Sequence, residues 1–269
     1  MSHLLFSHAR VALKYGLISL NLGPKDSILV PDFICDEVLQ PLRLLGISFI
    51  FYSLNDDLTP NWEHLKKQVK DHTKAIIMVH YFGQPQNINN FQNFCYKNNL
   101  FLIEDNAHGF GGLFNGKKLG LFGDIGIDSP RKILNLPSGG QLALNNIENS
   151  KIDEIISLLP RYKISKPQIF LSVLLNRSHF IKSHLKKFFI KQPKYWEPME
   201  FKESLVIEHR VDLFSEKKLK TTNINSVIKK RRELYFIWEE FALRKGLSPV
   251  FSCLDDWAVP LVFPAYVSS

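Results

Sequence analysis

From residue 27 onward, short apolar runs alternate with stretches whose apolar residues recur at helical spacing. "SILVP" (27–31), "SFIFY" (48–52), "AIIMVH" (75–80) and "LFLIED" (100–105) are apolar with no polar face, which predicts strands covered on both sides. Between them, "DEVLQPLRLLG" (36–46), "NWEHLKKQVKDH" (61–72) and "NINNFQNFCYKNN" (87–99) predict helices. Asn61 and Asn87 stand where N-caps belong, and Gly46 where a helix should stop. Repeated strand–helix–strand units with short links predict an α/β fold on a mostly parallel sheet. No internal repeat or low-complexity tract interrupts the pattern.

After about residue 150 the texture changes. "KIDEIISLLPRY" (151–162), "RSHFIKSHLKKFFIKQPK" (177–194) and "NINSVIKKRRELYFIWEEFALRKG" (223–246) all predict helices, the last ending at Gly246. The closing run "WAVPLVFPAYVSS" looks like a strand with nothing after it to cover it. The expectation is that a piece of a second domain is missing, leaving Leu261, Val262, Phe263 and Tyr266 without cover.

Composition narrows the class. A chain of 269 residues, 45% hydrophobic and 22% charged, can bury a sizeable core, which argues against disorder. Its apolar runs fall far short of the roughly 20 residues of a membrane helix. The opening "MSHLLFSHAR" lacks the long apolar core of a secretory signal. Cys35, Cys95 and Cys253 lie far apart with no CxxC or metal-ligand spacing, so a cytoplasmic protein with reduced thiols is expected.

Net charge is +8, and the basic residues thicken in the second half. Lys182, Lys186 and Lys187 interleave with Phe180, Leu185, Phe188 and Phe189. Such a stretch suits a nucleic-acid or membrane surface, a solvated face of an amphipathic helix, or an electropositive approach for an anionic small substrate. The solvated face is the ordinary reading. No nucleic-acid partner and no membrane span is expected.

In parallel α/β sheets ligands gather at the carboxyl ends of strands. Asp105 is placed there, as is His80. Asp105 is either a turn or cap residue or a buried carboxylate facing a cationic ligand atom. Downstream, Lys132 is the one lysine of residues 123–146 and lies close to Gly139-Gly140. A lysine sharing a pocket with a carboxylate is a candidate nucleophilic amine. A Rossmann-type nucleotide site is disfavoured, because no GxGxxG follows the first strand.

Together, "FSHARVAL", "LGPKDSILVPDFICDEVLQPLRLLG", "KAIIMVHYFGQP", "LFLIEDNAHGFGG", "GDIGIDSPRK...PSGG" and "RRELYFIW" followed by "AVPLVFPAYV" resemble, in order and spacing, the DegT/StrS family of sugar aminotransferases. These use pyridoxal 5′-phosphate (PLP). The resemblance implies a three-layer fold-type I large domain with a mostly parallel central sheet (1–222), then a long helix and the start of an incomplete small domain (223–269). It implies that Asp105 pairs with the protonated pyridine nitrogen of PLP, whose electron-withdrawing power depends on that charge. Glu104, as its strand neighbour, faces the other way. Lys132 then corresponds to the Schiff-base lysine. His108 stands where the family commonly has glutamine, beside the cofactor ring. Ser129 and the backbone N–H groups of Ala9 and Arg10 correspond to the phosphate cradle.

The chain departs from the family at further places. Cys35 stands where an aromatic stacking residue is common, Asp128 replaces an aromatic, Ser138 replaces an acid, and the spacing from Ser129 to Lys132 is short. The implied activity is amino transfer, with glutamate as donor, to a nucleotide-linked keto-sugar in surface polysaccharide or related glycan biosynthesis. The implied assembly is a homodimer, with the 151–246 helices contributing contacts through Phe170, Leu171, Leu174 and the Phe188-Phe189 pair. The alternative is a catalytically impaired PLP-binding or regulatory relative, or a truncated fragment.

Overall fold

The structure, a computed structural model, describes residues 4–145, 150–164 and 208–267. The basic stretch at 177–194 and the residues Phe170, Leu171 and Leu174 lie outside the described residues.

β1 (Leu4–Phe6) leads through His8 into α1 (Ala9–Ser19). β2 (Ser27–Pro31), α2 (Asp36–Leu44), β3 (Ser48–Tyr52), α3 (Trp62–Gln68), β4 (Thr73–Val79), α4 (Ile88–Asn98) and β5 (Phe101–Asn106) follow in strict alternation. A small antiparallel pair, β6 (Leu113–Phe114) and β7 (Lys117–Lys118), precedes β8 (Ile125–Asp128), α5 (Pro130–Leu134) and β9 (Gly140–Leu144). The central sheet has seven strands in the order β1-β9-β8-β5-β4-β2-β3. β3, β2, β4, β5 and β8 pair in parallel, and β9 alone runs against its neighbours. This is the mostly parallel α/β fold that the alternation predicts.

Local chemistry explains the helix ends. Asn61 accepts the His64 N–H at 3.0 Å and Asn87 that of Asn90 at 3.2 Å, each relieving one unpaired donor of a first turn. Gly46, just past α2, takes φ +69°, which a side chain would resist. α3 is shorter than the predicted 61–72. Val69 is extended, and Thr73 Oγ1 accepts the Lys70 N–H at 2.9 Å, which turns the chain into β4.

The apolar runs of β2, β4 and β5 are covered on both faces, whereas β3, expected to be covered as well, is the edge strand and leaves Phe51 exposed. On one side α1 and α2 pack Val11, Leu17, Leu39 and Leu42 against Ile28, Ile77, Ile103 and Ile125. On the other, α3 and α4 pack Leu65, Phe91 and Phe94 against Leu29, Ile76, Met78 and Leu102. Along β5, therefore, Ile103 and Asp105 share the α1 side, while Leu102 and Glu104 share the α4 side.

Later come α6 (Ser150–Leu158), α7 (Leu213–Thr221), α8 (Ile224–Arg244), β10 (Ser248–Pro249) and β11 (Ala265–Tyr266). Among the described residues of the final apolar run, only Ala265–Tyr266 is a strand, paired antiparallel with β10. Pro260 and Pro264, which have no backbone N–H, break the remainder. Val262 and Tyr266 are exposed, as expected, but Leu261 is half-buried and Phe263 packs on Tyr235 at 4.9 Å. Among the described residues, no helix is long and apolar enough to cross a membrane.

Candidate active site

The carboxyl ends of β4, β5 and β8 open into a cavity of about 510 Å³, roofed by the first turns of α1 and α2. Its floor is Ile77, Val79, Ile103 and Ile127. Ala9, Arg10, Cys35, Asp105, His108, Ser129 and Lys132 all line it. Residues separated by up to 123 positions in sequence thus meet in one space.

Asp105 is half-buried at the end of β5, and its Oδ1 accepts the Ala107 N–H at 2.9 Å. That bond is the turn contact a local reading allows, and it also fixes the carboxylate toward the cavity. Glu104 is placed on the opposite side of the sheet. Its Oε1 lies 3.0 Å from His80 Nε2 and accepts the Gly120 N–H at 2.6 Å. Its Oε2 accepts the N–H groups of Phe122 at 2.7 Å and Gly123 at 3.0 Å. Burial works against the charge, but these bonds outweigh it and hold the carboxyl below its usual range. His80 Nδ1 accepts the Gln86 N–H at 3.0 Å, which leaves Nε2 as its donor to Glu104. His80, although at a strand end, is therefore part of a buried lock and not of the cavity.

His108 packs its ring on Phe82 with centroids 5.8 Å apart and planes 12° apart. Its Nδ1 accepts the Phe82 N–H at 3.2 Å, so Nε2 carries the proton. Burial, then the Lys132 charge, depress its basicity against the pull of Asp105. His108 is thus a neutral N–H donor beside the carboxylate and the amine.

Lys132 lies in α5, and its segment is clamped from outside. The Arg231 guanidinium, from α8, donates to Lys132 O at 3.2 Å and Ile133 O at 3.0 Å, and to the carbonyls of Pro260 and Leu261 at 3.3 Å each. Ser129, the N-cap of α5, makes no capping hydrogen bond; its Oγ is buried without a partner and borders the cavity. Ala9 and Arg10 open α1, whose first helical bonds are those from Val11 and Ala12 to His8 O. The earliest N–H groups are therefore the unpaired ones. Gly140 makes this turn possible, since a Cβ there would fall 2.2 Å from the His8 carbonyl carbon and 2.5 Å from Ala9 N.

Sequence reading did not single out His8, Arg131, Arg231, Phe33 and Tyr81. Phe33 and Tyr81 pack at 5.8 Å on the cavity wall near Cys35, where aromatic cover is otherwise lacking. Their adjacency to strand ends was the available signal. Asp128 lies buried behind the site, with Oδ1 accepting from Asn106 Nδ2 at 2.7 Å, and burial pushes its carboxyl well above the usual range. Ser138, at the place of a common acid, donates to Asp212 of the α7 cap. Among the described residues, no cluster of His, Cys, Asp or Glu is placed to hold a metal.

The same architecture occurs in solved aminotransferases. The Helicobacter pylori PseC aminotransferase superposes with a TM-score of 0.69 at 19% identity, over 98% of this chain and 65% of that one. A Brucella abortus DegT/DnrJ/EryC1/StrS aminotransferase superposes with a TM-score of 0.65 at 19% identity, over 97% and 64%. At sequence level, the chain is 30% identical over 143 residues to GDP-perosamine synthase of Vibrio cholerae, which is 52% of this chain and 39% of that protein. It is 32% identical over 130 residues to an Acidithiobacillus ferrooxidans UDP-N-acetyl-3-dehydro-alpha-D-glucosamine 3-aminotransferase, 48% of this chain and 35% of that protein. These matches span less than half the length of either relative. The pattern of the DegT/DnrJ/EryC1/StrS aminotransferase family matches residues 4–168, and the chain belongs to that family.

Proposed function

We propose that this chain carries the PLP-binding part of an aminotransferase that moves an amino group, with glutamate as donor, onto a keto-sugar borne by a nucleotide. One observation carries the reading. A strand-end carboxylate, a lysine and an anion-seeking helix terminus, distant in sequence, line one cavity in a member of this family. The residues also fit the cofactor: Ser129 Oγ is buried and unpartnered, and Gly140 leaves room for the His8–Ala9 turn. The V. cholerae and A. ferrooxidans relatives bear names of nucleotide-sugar enzymes, which supports the substrate class.

When bound, PLP supplies an electron sink for the carbon that loses its proton. Asp105 would pair with the pyridine nitrogen and favour its protonated form by charge. The Lys132 amine would anchor the cofactor and would then be the base that takes or returns a proton at the substrate carbon. His108 would offer its Nε2–H or its ring face beside the cofactor ring. Ser129 and the Ala9 and Arg10 amides would hold the phosphate, while Arg231 keeps the lysine segment in place.

The reading extends to a cytoplasmic homodimer with cavities near the subunit boundary. It draws on three unpaired thiols and on the exposed Ile237 and Trp238 of α8. It also takes residues 1–222 as the large domain and 223–269 as the beginning of a smaller one. The test is an absorbance spectrum of the chain with added PLP, followed by borohydride and peptide mapping. A visible band that borohydride removes, with the label on Lys132, is expected. Label on another lysine would refute the assignment, and binding without transfer would leave a cofactor-binding relative.

A further inference from the structure

Among the described residues, the Arg131 guanidinium reaches the cavity without an ion-pair partner. Its Nε is buried without a hydrogen-bond partner. The neighbouring Arg10 guanidinium is bonded to Glu37. Burial, then repulsion from Arg10, depress the basicity of Arg131, and Glu37 offsets this only in part. His8, the third basic group of this corner, is lowered to about 4 by burial and by Arg131, so it adds no charge at neutral pH. A partly buried cation is costly until an anion meets it.

The donors around it converge. Ser129 is 1% exposed with an unpartnered Oγ on the same cavity. The N-terminus of the 11-residue α1 faces that space, and its cap, His8, makes no side-chain hydrogen bond.

We propose that Arg131 is a phosphate-binding residue, whose guanidinium joins the Ser129 hydroxyl and the α1 N-terminus in a site selective for the dianion of a phosphate monoester. The proposal rests on the function inferred above, the monoester being that of the cofactor. A planar guanidinium can donate two parallel bonds to phosphate oxygens, which a single amide turn cannot match in charge. Depth identifies the phosphate. Arg131 sits between Ser129 and Lys132 in the chain and its Nε is buried, whereas the cavity side nearest the exposed Phe33 and Cys35 is left for a larger substrate.

The experiment compares PLP with pyridoxal, which lacks the phosphate, on the unmodified chain and on Arg131→Gln and Arg131→Lys, by absorbance titration. Arg131→Gln should weaken PLP about 10- to 100-fold and leave pyridoxal unchanged, with Arg131→Lys in between. Equal loss for both ligands, or none for PLP, overturns the proposal while leaving the functional reading standing. Failure of the unmodified chain to take up PLP overturns both. A second measurement needs no variant. The phosphorus NMR shift of bound PLP should stay that of the dianion through pH 5–8, although a free phosphate monoester titrates at about 6. A shift that titrates as in free PLP overturns the proposal.

Discussion

Glu104 Oε1 and His80 Nε2 lie 3.0 Å apart, both fully buried, on the side of the sheet opposite the carboxylate of Asp105. Adjacent residues of one strand thus have separable tasks. Glu104→Gln would present an amide N–H to backbone donors and should cost about 2–4 kcal/mol. By thermal unfolding that is about 5–10 °C. Asp105→Asn should unfold close to the unmodified temperature. Matching losses in the two variants would mean that both carboxylates are structural.

Lys132→Ala should lose borohydride fixation of PLP completely. Asp105→Ala should keep fixation but slow amino transfer about 10²–10³-fold, the usual effect of removing a transition-state charge partner. Single-turnover spectroscopy with glutamate separates the two. Fixation persisting in the lysine variant would move the amine to another residue.

Gly140→Ala should disable the cradle. The added Cβ would lie 2.4 Å from His8 O and 2.5 Å from Ala9 N, backbone atoms that can move only with β1 and α1. PLP affinity should drop at least about 10-fold, with a loss of stability of about 1–3 kcal/mol. Unchanged affinity would show that the turn does not touch the ligand.

Asp128 ties stability to pH. Its carboxyl is raised in the folded chain, chiefly by burial. Its favourable contribution is therefore complete below the unfolded value of about 3.9 and is lost as pH climbs through the folded value. Asp128→Asn keeps an acceptor for Asn106 without that loss. The variant should match the unmodified melting temperature near pH 4 and exceed it by about 2–4 °C at pH 8, the effect of about 1 kcal/mol. A gap that is constant with pH would indicate that Asp128 does not titrate in this range.

β2, β4 and β5 were legible because cover on both faces leaves an unbroken apolar run, β3 because its run is equally apolar although it forms the sheet edge, and the caps Asn61 and Asn87 because a first turn needs an acceptor. β1, β8 and β9 were not. β8 carries Gly126, where a Cβ would lie 1.7 Å from Gly120 O, and β9 begins at Gly140. Such strands are stabilised by neighbours and not by propensity. Asp105 and Lys132 could be found from their order along the chain. Arg131 and His8 could not, since their significance arises only where α1 and α5 face the same space. His80 was legible as a strand-end residue, but its commitment to Glu104 depends on the 120–123 loop folding beneath β5.

The alternation of β5 makes that strand tolerant of chemistry but not of length. Phe101, 39% exposed at its start, can change identity without disturbing either layer. One residue inserted or deleted between 101 and 104 would rotate the pleat and exchange the two carboxylates. Glu104 would then point into the cavity, and Asp105, one methylene shorter, would face His80 and the amides of Gly120 and Phe122. A single slip would take away the cavity's carboxylate and the sheet's anchor in the same step, so sequences related to this one should vary here by substitution and keep the spacing from Phe101 to Asp105 fixed.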